Sequence, residues 1–235
     1  MTEKISINFK KFEETLGFEF KDKGLLKQAF THRSYINENR NLELSHNERL
    51  EFLGDAVLEL IVTEYLYNKY PSSNEGDLTA YRASLVNATI LSEVARKINI
   101  NEYLLLSKGE SKDVGKARQY ILANAIEAVI GAVYLDQGYG VTRDFIAKNL
   151  FILIDKIVAE KSWIDSKSLF QEKAQEYYNE TPAYKTVKET GPDHDKHFTV
   201  AVYVGKEMIA EAGGKSKQEA EQATAKKALE VKEWI

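Results

Sequence analysis

The sequence predicts two domains of different class: an all-α domain over residues 1–158, a linker at 159–166, and a small α+β domain of order α-β-β-β-α over 167–235. Three observations predict it. Apolar residues recur at helical spacing through most of the first 158 residues. The stretch EKSWIDSK at 160–167 interrupts that pattern. Beyond it, AYKTVKET and HFTVAVYVG alternate apolar and polar residues with β-branched enrichment, as a half-exposed sheet should.

Taken in order, helices are expected near 11–17, 22–36, 46–69, 76–98, 117–136 and 141–159, joined by polar turns such as YPSSNEGD. Pro71 is the one proline in this half, so little breaks the helical run. Residues 168–178 read as a helix. Three strand-like runs follow, the third being KEMIAEAGG, and SKQEAEQATAKKALEVKEW closes the chain as a helix. No internal repeat or low-complexity tract is present.

At 43% hydrophobic and 29% charged, the 235 residues have the composition of a soluble globular protein with a sizeable core. The absence of cysteine excludes disulfides, thiolate metal sites and a cysteine nucleophile. The opening MTEKISINFKKFEE has no apolar h-region, which argues against a signal peptide. No apolar run reaches the roughly 18–20 residues of a membrane span. A cytoplasmic protein without a membrane partner is the plain reading. A net charge of −4 argues against a wholesale polycation but leaves room for a local basic stripe.

Two helices carry acids where apolar residues would be expected. HNERLEFLGDAVLELIVTEYL places Glu48, Glu51, Asp55 and Glu59 within one sector, at roughly 100° per residue. Leu50, Phe52, Leu53, Val57, Leu60 and Ile61 cover most of the remaining circumference, the pattern of a buried helix. Buried carboxylates need a cation against them. In ILANAIEAVIGAVYLD the strongly polar side chains between Ile121 and Leu135 are Asn124 and Glu127, three apart and on one face. Either set alone could be a solvated stripe. Two such helices side by side would let Glu51, Asp55, Asn124 and Glu127 converge. Oxygen ligands without His or Cys select Mg²⁺, or Mn²⁺ as a substitute, over zinc. Beside a phosphodiester, such a site would activate water and stabilise the leaving oxygen.

Other schemes fit less well. Histidines at 32, 46, 194 and 197 show no metal spacing linking the two pairs. No GxSxG turn marks a serine nucleophile. GGKSK at 213–217 is too short for a P-loop and reads, by itself, as a lysine-bearing turn.

HNERLEFLGDAVLEL resembles the signature of the bacterial ribonuclease III endonuclease domain. THRSY at 31–35, EGDLTAYRASLVN at 75–87 and ANAIEAVIGAVYLDQGY at 123–139 support the match. KSLFQEKAQE, GPDHDKHFTV and GKSKQEAEQATAKKAL resemble the family's double-stranded-RNA-binding domain. The resemblance implies that Glu51, Asp55, Asn124 and Glu127 hold the metal. Asp55 and Glu127 would be catalytic, with Glu48 supporting the site. It also implies a homodimer whose signature helices meet across the two-fold, with Phe52 at the interface; read without the family, Phe52 is as readily a core residue. Asn124 stands where the family most often has aspartate. That departure keeps open a natural variant or a substitution that traps substrate.

Residues 165–235 contain 11 Lys against 13 Asp plus Glu, a net of −2, so charge does not announce RNA binding. Arrangement does better. Lys215, Ser216 and Lys217 open the last helix, where free N–H groups favour phosphate. The resemblance assigns Ser168, Gln171, Glu172 and His194 to minor-groove contacts, and Lys215, Ser216 and Lys217 to the major groove, in reading A-form RNA. Gln218 replaces a basic residue common there. The leading expectation is a Mg²⁺-dependent endoribonuclease cutting double-stranded RNA to 5′-phosphate and 3′-hydroxyl ends, with roles in ribosomal RNA maturation and RNA turnover. The alternatives are a catalytically impaired double-stranded-RNA-binding protein on the same scaffold and a small-nucleotide phosphohydrolase.

Overall fold

Polar caps cut the chain into more helices than apolar spacing alone suggests. The structure, a computed structural model, describes residues 8–160, 163, 165–192 and 195–235. It divides into two units, Met1–Trp163 and Ile164–Ile235. The first unit holds α1 (Lys10–Leu16), α2 (Lys23–Ala29), α3 (Arg33–Glu38), α4 (Glu48–Lys69), α5 (Glu75–Leu85), α6 (Ala88–Lys97), α7 (Lys116–Gln137), α8 (Tyr139–Asn149) and α9 (Ile154–Ala159).

The helix expected over 22–36 is broken, because His32 is extended and its ring accepts from the Ser34 N–H to cap α3. The helix expected over 76–98 breaks at Asn87, whose side chain accepts from the Ile90 N–H at 3.0 Å. A 3₁₀ turn at Phe151–Leu153 divides the last expected helix. At His32 and Asn87 a side chain offers the backbone an alternative to the helical bond.

The core of this unit gathers Phe12, Phe30, Leu58, Ile61, Leu66, Leu122 and Ile126, all fully buried. α4 and α7, 22 residues each, form its most extensive helix contact. α4 is not buried all round, contrary to the reading of its composition. Phe52, Leu60 and Tyr67 stand 81%, 59% and 71% exposed on one side of it. Trp163, placed in the linker by sequence, packs edge-on against Tyr81 at 4.9 Å.

The second unit runs α10 (Ser166–Tyr178), β1 (Ala183–Thr190), β2 (His197–Val204), β3 (Glu207–Gly214) and α11 (Lys217–Val231). Its antiparallel sheet has the order β1-β2-β3, with Lys185 and Glu211 flanking Ala201 in register. Phe170 and Ala174 of α10, with Ala225, Ala228 and Leu229 of α11, bury one face of the sheet through Val202 and Val204. A buried hydroxyl ties the last helix to the central strand: Thr224 Oγ1 donates to the Val200 carbonyl at 2.9 Å. Asp165 accepts from the Lys167 and Ser168 N–H groups and caps α10.

Candidate active site

Two glycines let α4 and α7 meet backbone to backbone. A Cβ on Gly54 would lie 1.8 Å from the Glu127 carbonyl oxygen, and one on Gly131 would lie 2.2 Å from that of Leu50. No other residue fits there. The approach sets Glu51 and Asp55 of α4 beside Asn124 and Glu127 of α7.

The electrostatics record the convergence. Burial, followed by the charges of Asp55 and Glu51, pushes the Glu127 carboxyl up to about 8. Burial, then Glu48 and Asp55, raises Glu51 as well, while a hydrogen bond from the Asn124 amide works the other way. From Ile121 to Val133, Asn124 and Glu127 are the two positions of α7 that are not buried. The polar pair is therefore where this helix opens toward water.

Glu48 lies one turn before Glu51 and is exposed. Its Oε1 is 3.3 Å from Arg33 Nη1, and its Oε2 is 3.7 Å from His46 Nδ1. Among the described residues, no Lys or Arg forms an ion pair with Glu51, Asp55 or Glu127. The compensating cation expected for these acids is not a side chain of the described protein. Among the described residues, too, no three Asp, Glu or His side chains form a preformed metal-binding group. The donor chemistry fits a hard divalent ion all the same: three carboxylates and an amide oxygen.

Phe52 is not the ordinary core residue that its sequence context allowed. Beside its exposed ring runs a groove lined by Leu25, Gln28, His46, Arg49, Leu53 and Leu135.

In the second unit, Ser168, Gln171 and Glu172 line one shallow polar groove along α10, together with Gln175, Glu176 and Asn179. Gln175 and Asn179 escaped sequence reasoning, although successive four-residue steps from Gln171 could have shown them. The Ser168 hydroxyl donates to Asp165 Oδ2 at 2.8 Å. Ser216 caps α11 by accepting from the Glu219 N–H at 3.1 Å. Lys217 lies 3.2 Å from Glu189 and over the Phe198 ring, and both it and Lys215 are exposed. Lys215, Ser216 and Lys217 thus cluster at one helix end. His194 lies outside the described residues. No helix among the described residues is long and apolar enough to cross a membrane.

Comparison with known proteins agrees with this division. A family described as Ribonuclease-III-like matches residues 22–154, and the double-stranded RNA binding motif matches residues 166–232. Ribonuclease 3 of Bdellovibrio bacteriovorus is 44% identical over 95% of this chain and 95% of its own. Ribonuclease 3 of Enterococcus faecalis is 46% identical over 92% of this chain and 94% of its own. A solved nuclease domain of ribonuclease III from Campylobacter jejuni, described by flexibility in a region involved in dimer formation, is 42% identical. It covers 60% of this chain and 98% of its own, with a TM-score of 0.54.

Proposed function

This chain belongs to the ribonuclease III family and is an endoribonuclease for double-stranded RNA, and we propose that Glu51, Asp55, Asn124 and Glu127 form its cutting centre. Asp55 and Glu127 act as catalytic acids and Glu48 supports them. All four centre residues hold Mg²⁺, which Mn²⁺ can replace. When bound, the cation supplies activation of water for attack on phosphorus and offsets charge on the leaving oxygen, giving 5′-phosphate and 3′-hydroxyl ends.

One observation carries this reading. Glu127 is a partly buried carboxyl with two carboxylate neighbours and, among the described residues, no cationic partner. A cation held there would offset the burial and the two neighbouring charges that raise this carboxyl. Asn124 contributes an oxygen without charge, so the centre carries three formal negative charges where an aspartate would make four. The catalytically impaired reading has no observation in its favour.

The α10 groove with Ser168, Gln171 and Glu172 serves the minor groove, joined by His194. Lys215, Ser216 and Lys217 serve the phosphates across the major groove. The exposed ring of Phe52 belongs to a homodimer interface along α4. Residues 1–158 make the nuclease domain and 167–235 the RNA-binding domain, with 159–166 between them. Membership of the family supports a role in ribosomal and messenger RNA processing in the cytoplasm.

The experiment is Glu127→Gln, assayed on a labelled RNA duplex with and without Mg²⁺. Cleavage should vanish while duplex binding in a gel-shift assay survives. Substantial Mg²⁺-dependent cutting by the variant would overturn the assignment.

A further inference from the structure

We propose that Arg33 is a positioning residue of the nuclease centre, holding the Glu48 carboxylate in place one turn ahead of Glu51. The proposal rests on the assignment of Glu51, Asp55 and Glu127 above. It gives a task to the THRSY segment at 31–35, which the cutting centre otherwise leaves unused.

The backbone around Arg33 is fixed on two sides. Toward α4, the Asn47 N–H donates to the Thr31 carbonyl at 2.9 Å. The Asn47 side chain donates to the Ala29 carbonyl at 3.3 Å, and that of Gln28 to the His46 carbonyl at 3.1 Å. On the other side, the His32 N–H donates to the Leu105 carbonyl at 3.1 Å, and the Ser107 N–H to Ser34 Oγ at 3.1 Å. Fifteen residues separate Arg33 from Glu48, yet these bonds lock their backbones together. The guanidinium then has a set point from which to reach.

It reaches Glu48 Oε1 at 3.3 Å. His46 Nδ1, at 3.7 Å from the other oxygen, is beyond hydrogen-bonding range, so Arg33 is the stronger partner. Among the described residues, no other Lys or Arg pairs with any of Glu48, Glu51, Asp55 and Glu127. With side chains 66% and 44% exposed, the pair adds little to folding stability. What it does set is direction. Glu48 and Glu51 are like charges one helical turn apart and repel. A guanidinium on Glu48 offsets that repulsion and fixes which way the carboxylate points.

The test is a double-mutant cycle in the full-length protein, on duplex RNA at saturating Mg²⁺, with Arg33→Ala, Glu48→Gln and the double variant. Arg33→Ala should lower kcat roughly tenfold, a fraction of what an ångström of misplacement can cost. KM for the duplex and the melting temperature should stay put, and Arg33→Lys should recover part of the rate. In the Glu48→Gln background, Arg33→Ala should cost nothing further. An unchanged kcat, or an equal loss in both backgrounds, overturns the proposal. So does a raised KM with a shallower salt dependence at intact kcat, which would make the guanidinium an RNA phosphate contact. Glu127→Gln runs alongside. If it still cuts, the acid assignment falls; if it is inactive while the cycle is additive, only the role of Arg33 falls.

Discussion

Replacing Gly54 by alanine should uncouple the two acidic helices. The added Cβ would sit 1.8 Å from the Glu127 carbonyl oxygen, 2.6 Å from its carbon and 2.9 Å from the Gly131 nitrogen. All three are backbone atoms, so no side chain can turn aside. Reaching 3.0 Å, below which real Cβ contacts are essentially never found, requires the helices to part by 1.2 Å at that point. Overpacking of a core costs about 1–3 kcal/mol, and a backbone clash belongs at the upper end. For a unit of this size, about 3 kcal/mol lowers the melting temperature by roughly 6–12 °C. The displaced atom belongs to Glu127 itself, so the acids shift by a similar distance, and about 1 Å can cost roughly 100-fold in rate. The assay is thermal melting with duplex cleavage at saturating Mg²⁺. Gly131→Ala should behave alike, since its Cβ would meet the Leu50 carbonyl oxygen at 2.2 Å. Gly140→Ala is the control, because a Cβ there meets nothing within 4 Å. A Gly54→Ala protein that melts with the parent and cuts at its rate would refute the reasoning.

Asn124→Asp should lower the Mg²⁺ concentration for half-maximal cutting, since it adds charge and removes the amide that donates to Glu51; equal midpoints in a metal titration would count against a charge-sensitive ligand at 124. The raised Glu127 carboxyl makes a pH prediction. Its contribution to the metal-free protein is fully present below the ordinary value of 4.5 and is lost as pH rises through about 8. Melting of metal-free protein should therefore weaken across that window, Glu127→Gln should flatten the trend, and an unchanged slope in the variant would remove Glu127 as its cause. Phe52→Glu should shift sedimentation from dimer to monomer, and an unshifted dimer would place the interface elsewhere. Replacing Lys215 and Lys217 together by alanine should shallow the salt dependence of duplex binding by up to about two units of slope, with Lys215 contributing more because Lys217 is held by Glu189. An unchanged slope would take both lysines off the phosphates.

Much of the candidate centre stood out in the sequence because an acid inside an apolar helix is costly and therefore conspicuous. Asn124 and Glu127 stood out as the polar pair of their helix, and they are where α7 opens toward water. The strands of the second unit were legible from the alternation along AYKTVKET and HFTVAVYVG, which form β1 and β2, although burial itself does not alternate along either. What could not be read was whatever depends on a distant partner. Gly54 within a helix reads as a local cost, and its reason is a carbonyl 73 positions along the chain. The ion pair of Arg33 with Glu48 depends on how Thr31 and Asn47 meet. Helix breaks at His32 and Asn87 escaped because apolar period says nothing about which polar side chain will turn back on its own backbone.

α4 carries the further lesson that composition reports burial without naming what does the burying. Its apolar residues nearly encircle the helix, which argued for a buried helix. Within that chain, Leu50, Val57, Leu58, Ile61, Val62 and Leu66 are buried, while Phe52, Leu60 and Tyr67 remain open. The open set recurs at intervals of eight and seven residues, close to two helical turns, so it forms one stripe rather than scattered exposure. Asp55, Glu59 and Glu64 are exposed on this helix as well. A lone apolar side chain on a surface needs no explanation, but a stripe about four turns long does. The proposed two-fold pairing along α4 supplies one: an isologous interface presents the same stripe from both copies and buries it against itself. In that arrangement a second copy would cover the stripe that α4 leaves open within its own chain. Asp55, exposed one turn after Phe52, would then lie beside the pairing surface rather than within it.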